Sequence, residues 1–275
     1  MKNFLFSALA LCLALTAAAQ TPDNNASGYA FTDVKILPTT PVKDQSRSGT
    51  CWCFSTLSFL ESEIIKAGGE PMHLSEMWIV RHSFMDKAEK YIRLHGSLNF
   101  AEGGASHDVT EGIKAHGIVP FEVYPGLNYG TEKPDFHELS VVLKNYLDAV
   151  LKAAESNKPL STAWKRGFNA ILDAYFGEMP KTFTYEGKEY TPESFAASLP
   201  IRMDDYVDIS SFTHHPFYTR FIIEVPDNWM WGEAYNVPHD EIQHIIYNTL
   251  ANGSTDSRGT DLNDKVYIRY IGTPV

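Results

Sequence analysis

Gln45-Ser46-Arg47-Ser48-Gly49-Thr50-Cys51-Trp52-Cys53-Phe54-Ser55 passes from a turn into a helix, with a cysteine at the junction. Downstream, Thr56-Leu57-Ser58-Phe59-Leu60-Glu61-Ser62-Glu63 keeps a helical apolar period through Phe54, Leu57, Leu60 and Ile64. Gly68-Gly69 closes that helix, which is expected over Cys51 to Lys66. A cysteine at a helix start sits among unpaired N–H groups at the positive end of the dipole, a setting that favours the nucleophilic thiolate. Gln45 stands six residues upstream, within reach of a chain that folds back. Its amide and the Cys51 N–H together would make a two-donor pocket for a developing oxyanion.

Working outward toward the N-terminus, Lys2 precedes an apolar run from Phe4 to Leu15, too short to span a bilayer. Ala17-Ala18-Ala19 follows as an A-x-A cleavage pattern. Residues 1–19 therefore read as a secretory signal and 20–32 as a polar leader, and the protein is expected to be exported to a periplasmic or extracellular space. Removal of the signal takes Cys12 with it and leaves Cys51 and Cys53, two apart on one helix. Their side chains then diverge, which argues against a bridge between them and against shared metal ligation. Cys53 reads as a small core residue. The net charge of −11 argues against nucleic acid or an anionic membrane as partner. Aromatics at 13% are enough to build a substantial core.

Toward the C-terminus, Ser75 is a candidate N-cap for a second helix running through Trp78, Val80, Phe84 and Tyr91. Ala101 to Ala105 is a glycine-bearing loop, followed by a third helix with Ser106 as cap and Gly117 as its end. From His137 the pattern changes. Leu139 to Lys152 and Ala163 to Phe176 are helical by period, joined by a polar link around Ser156 to Pro159. Lys181 to Tyr190 reads as a small hairpin. Strands are expected at Tyr206 to Ile209 and Arg220 to Val225, a helix from Pro238 to Leu250, and a last strand over Lys265 to Ile271.

The segment around Cys51 resembles the active site of papain-like cysteine peptidases, with Cys51 as nucleophile and Gln45 as oxyanion donor. Leu74-Ser75-Glu76 matches the opening of that family's second helix, and Gly117-Ile118-Val119-Pro120 with Tyr124-Pro125 matches its Gly-(Ile/Val) and Tyr-Pro turn. Gly103-Gly104 resembles the glycine pair that receives an extended peptide by β-type hydrogen bonds. Ser48 stands where the disulfide-bearing members have a cysteine. The run from Asp205 to Glu241, with Asn236-Val237-Pro238, is similar to the bleomycin hydrolase/aminopeptidase C branch. The resemblance implies an α+β papain-like fold: a helical left half over 33–136, a helical insertion over 137–199, and the start of a β-rich right half over 200–275. It implies peptide substrates, acyl transfer through a thioester, and no cofactor or metal.

In that branch the general-base histidine and its asparagine lie in the second half of the fold. Residues 254–275 do not match the expected continuation, so the sequence reads as a truncated product. His214 or His215 with Asn228 is the substitute pair to test, followed by His244. Three function classes stay open on the sequence: an active peptidase, a peptidase-like remnant that only binds peptides, and, more distantly, a thiol-redox protein. The Cys-x-Cys spacing disfavours the last. His73, His82 and His95 lack metal-type spacing, and neither H-E-x-x-H nor a phosphate loop is present.

Overall fold

The computed structural model describes residues 32–154 and 159–257. The signal, the polar leader up to residue 31, most of the link around Ser156 and the strand expected over 265–271 lie outside the described residues. The chain divides into two units at Ile36/Leu37. In the first, the described residues 32–36 contain no helix or strand.

The second unit begins with helix α1 (Cys51–Lys66), whose bounds agree with the sequence reading. Its buried line is Cys53, Leu57, Leu60 and Ile64, while Phe54 is only half-buried. The stripe is thus one residue off the expected one at its N-terminal end. Helix α2 (Glu76–Arg93) starts at Ser75, whose hydroxyl accepts from the Trp78 N–H at 3.1 Å. Helix α3 (Ser106–His116) begins one residue earlier than expected. Ala105 occupies the cap position, and its N–H donates to the Asp108 carboxylate at 3.0 Å. Gly117 ends the helix at φ +66°, which a glycine adopts freely.

Helices α4 (His137–Ala154) and α5 (Ala163–Phe176) follow, each burying three residues: Leu139, Leu143 and Leu147, then Phe168, Leu172 and Phe176. They pack against α2 and share its core. Phe84 of α2 meets Phe136 and Phe176 at ring separations of 6.0 and 6.3 Å, and Phe100 meets Phe168 at 6.2 Å. The expected hairpin forms from β1 (Phe183–Tyr185) and β2 (Lys188–Tyr190). Glu186 and Gly187 at its tip both have positive φ, as a tight two-residue hairpin loop requires.

The rest departs further from expectation. Helix α6 (Pro192–Ser198) was not expected, although Thr191 caps it by accepting from the Ser194 N–H. The strand anticipated at Tyr206 shrinks to β3 (Ile209–Ser210), preceded by a 3-10 turn over Met203–Asp205. Next come β4 (Arg220–Ile222) and an unexpected β5 (Glu233–Asn236), then α7 (His239–Ala251). The order β3-β5-β4 pairs β5 parallel to β3 and antiparallel to β4. Asn236, fully buried in β5, explains why that strand lacks an apolar signature. Its amide nitrogen donates to the carbonyls of Phe212 and His215 at 2.9 Å each, and its oxygen accepts from the Phe212 N–H. A polar hub replaces apolar packing there.

Candidate active site

Cys51 is the first residue of α1 and is exposed, whereas Cys53 is fully buried with its thiol against the Glu76 carbonyl at 3.5 Å. The turn before the helix is closed by its own polar groups. Gln45 Nε2 donates to the Ser48 carbonyl at 2.6 Å, and Ser48 Oγ donates back to the Gln45 carbonyl at 2.8 Å. Thr50 ends the turn, and its carbonyl accepts from the Cys53 N–H. Among the described residues the Cys51 N–H has no protein acceptor, as is normal for the first turn of a helix.

Cys51 lies in an open cleft of about 720 Å³. One wall is the strip Phe100–Gly104. The lining also includes Ser140, Val141 and Asn145 of α4, and Asp227 from the loop after β4. The structure therefore places Cys51, Gly103 and Gly104 in one concavity, as the sequence implies, with Gln45 fixed in the turn leading into it. Both glycines are required by close approach. A Cβ on Gly103 would collide with the Asp227 carboxylate, and one on Gly104 would lie 2.6 Å from Asp108 Oδ2 and 2.8 Å from the Trp52 ring. Gly104→Ala is expected to destabilise the protein by about 1–3 kcal/mol through overpacking. Urea denaturation of the purified variant checks this, and an unchanged midpoint would show that the Trp52 ring yields freely.

Several residues that organise the cleft were not singled out from the sequence. Glu102 accepts from the Gly49 N–H at 2.5 Å and from the Ser140 hydroxyl, while its own carbonyl accepts from Trp52 Nε1 at 3.0 Å. It thereby ties the turn before Cys51, the first turn of α1 and helix α4 to the glycine strip. Beneath the strip, Lys87 donates to the carbonyls of Ala101, at 2.8 Å, and Gly103. On the far side of α1, Lys43 bridges two buried carboxylates, Glu61 at 2.5 Å and Glu76 at 2.9 Å. Glu61 also accepts from the Leu74 N–H and the Thr40 hydroxyl, and His73 Nε2 lies 3.1 Å from Glu76. Ligand atoms of Glu61, His73 and Glu76 are close enough to hold a metal ion, but Lys43 already supplies the counter-charge. The sequence did carry a signal for these residues. Glu61 and Lys87 are charges at core register, beside Leu60 and Ile64 in one helix and Phe84 and Tyr91 in the other.

The substitute histidine pair does not form. Asn228 spends its side chain within its own loop, donating to the Ile223 and Gly232 carbonyls at 2.9 Å and accepting from the Gly232 N–H. His215 stacks on Phe221 with ring centroids 4.3 Å apart, and His214 packs against His215 and Phe212. The apparent spacing of the pair reflects a loop and a sheet edge, not a charge relay. His214, His215 and His244 all lie outside the lining of the cleft, and no histidine is found among its described lining residues. His107 is engaged elsewhere, with Nδ1 at 2.7 Å from Asp208. Burial alone would lower its pKa, but Asp208 and Asp108 outweigh that and raise it. Asp108 is itself pushed up by burial, although it accepts from Ala105 and from Trp229 Nε1 at 2.6 Å.

Residues 31–162 match the model of the papain family cysteine proteases. That segment is similar to the papain family. The chain's fold is accordingly the papain-like α+β fold, and it matches the crystal structure of PepW from Lactobacillus rhamnosis HN001 with a TM-score of 0.66 and 18% identity. That match covers 92% of this chain and 69% of PepW. Among curated relatives, Aminopeptidase G of Lactobacillus delbrueckii subsp. lactis is 26% identical over 82% of this chain and 60% of its own length. Human Cathepsin L2 is 34% identical over 48% of this chain and 39% of its own length. The chain thus spans about 60% of the length of Aminopeptidase G. The similarity to that protein is consistent with the aminopeptidase C branch.

Proposed function

We propose that this chain is a cysteine peptidase acting on peptides through a Cys51 thioester, with an aminopeptidase-like substrate range akin to that named for Aminopeptidase G. The observation that carries the reading is an exposed cysteine at a helix N-terminus, in a cleft whose wall is a bare glycine strip. In the reaction the Cys51 sulfur attacks the scissile carbonyl carbon and forms the S–C bond. The carbonyl electrons move onto the oxygen, which the Cys51 N–H and Gln45 amide would hold. One Gln45 N–H is committed to the Ser48 carbonyl, which fixes the amide and leaves its second N–H to donate. Collapse of the adduct expels the amine, which must gain a proton, and water then hydrolyses the thioester.

A second reading is supported by the lack of a histidine among the described residues lining the cleft: binding and acylation of Cys51 without efficient turnover. Loss of general acid–base catalysis typically removes about 10²–10⁴-fold in rate. A fluorogenic aminopeptidase substrate, assayed on the purified chain with Cys51→Ala as blank, separates the two readings. Hydrolysis that vanishes in the variant supports the peptidase. Equal background in both, with Cys51 still labelled by the peptidyl epoxide E-64, supports binding alone. Failure of E-64 to label Cys51 would remove both.

A further inference from the structure

Lys87 projects from α2 into the core and is 2% exposed. Its ammonium donates to the Ala101 and Gly103 carbonyls and lies 5.6 Å from the Trp229 ring centroid. Asp108 on α3, together with Glu102 and Asp227 from the loops, provides the negative field around it. Burial still pushes the ammonium down to about 8. A methionine would fill the same space without that penalty, so a lysine in this position calls for a reason beyond packing.

The peptide plane supplies one. In a trans peptide the carbonyl of one residue and the N–H of the next point in opposite directions. With the 101 and 103 carbonyls turned inward to Lys87, the N–H groups of Glu102 and Gly104 turn away from it, toward the cleft side of the strip. Neither donates to a protein acceptor among the described residues. The intervening carbonyl of Glu102 is taken by Trp52 Nε1. Three successive carbonyls are thus engaged, and two alternate amides, those of Glu102 and Gly104, are left to offer.

We infer that Lys87 is a positioning residue that holds the strip 101–104 so that the Glu102 and Gly104 amides donate to the backbone of a bound peptide. This rests on the peptide-cleft reading above. Without the two inward bonds, the strip is free to rotate its peptide planes. A peptide then loses about one hydrogen bond of binding, roughly tenfold.

The test compares two reagents at Cys51. E-64 carries a peptide-like chain that needs the strip, whereas iodoacetamide needs only an accessible thiol. In Lys87→Met the rate with E-64 should fall about tenfold relative to that with iodoacetamide. Lys87→Arg, which keeps a cation and its N–H groups, should recover most of the ratio. A ratio unchanged in the Met variant, or an equal fall with both reagents, overturns the assignment. If the Met variant does not fold, backbone amide exchange on the wild type decides. Slowed exchange at Glu102 and Gly104 after E-64 labelling supports the inference, and unaltered exchange there overturns it. A wild type that reacts with iodoacetamide but not with E-64 rejects the peptide cleft itself, and the role of Lys87 with it.

Discussion

Lys43→Met is expected to cost roughly 3–5 kcal/mol of stability at pH 7, because it leaves buried carboxylates without their cation. The side chain of Glu61 is 0% exposed and that of Glu76 is 2% exposed, and Lys43 bonds to both. The acid response should also change sign. In the wild type, burial pushes the Glu76 carboxyl up, but His73 and Lys43 outweigh that and bring it below its ordinary value of 4.5. A carboxyl depressed by folding stabilises fully above its unfolded value, and that contribution is lost as pH falls through the folded value. Without Lys43, burial favours the protonated Glu76 carboxyl, so the variant should gain stability relative to wild type as pH falls from 7 toward 4.5. Urea titrations of both proteins at pH 7 and pH 4.5 provide the measurement. A destabilisation below about 1 kcal/mol, or a gap that widens in acid, would mean that the carboxylates are already solvated.

Alkylation should discriminate between the two thiols by at least about a hundredfold in favour of Cys51. They are two residues apart, yet one is exposed and the other fully buried. Burial, with Glu76 nearby, holds the Cys53 thiol well above its ordinary range. Reaction at Cys53 therefore requires both an opening of the core and an unfavourable deprotonation. Brief iodoacetamide treatment followed by peptide mass spectrometry locates the label. Comparable modification at Cys53 would show that the first turn of α1 opens readily and would undermine Cys51 as the reactive group.

Cys51 at the start of its helix was legible because several local signals agree at one place. Gly49 precedes the cysteine, an apolar period follows it, and Gly68 ends the helix at φ +86°. The second helix was equally clear from Ser75. What escaped was long-range. That Glu102 reaches Gly49 and Ser140, or that Lys87 reaches two carbonyls more than a dozen residues away, depends on how separate elements meet. No window of sequence contains that information, beyond the oddity of a charge at an apolar register. The short strands were obscured for another reason. Strands of two to four residues, one of them ending in a buried asparagine hub, present too few side chains for alternation to emerge. The histidine pair shows the opposite failure, in which plausible spacing survives while geometry directs both partners to other bonds.

The aromatic contacts along α2 set a limit on how this protein can be pared down. Phe84 and Phe100 are covered by Phe136, Phe168 and Phe176, and the Tyr91 hydroxyl is held by Asp148 of α4 at 2.7 Å. Excising α4 and α5 would strip the outer surface of the helix that carries Lys87, and it would remove Ser140 from Glu102. These helices are structural partners of the helix pair that carries Cys51 and Lys87, and a minimal version of the protein would have to replace their aromatic cover before it could dispense with them.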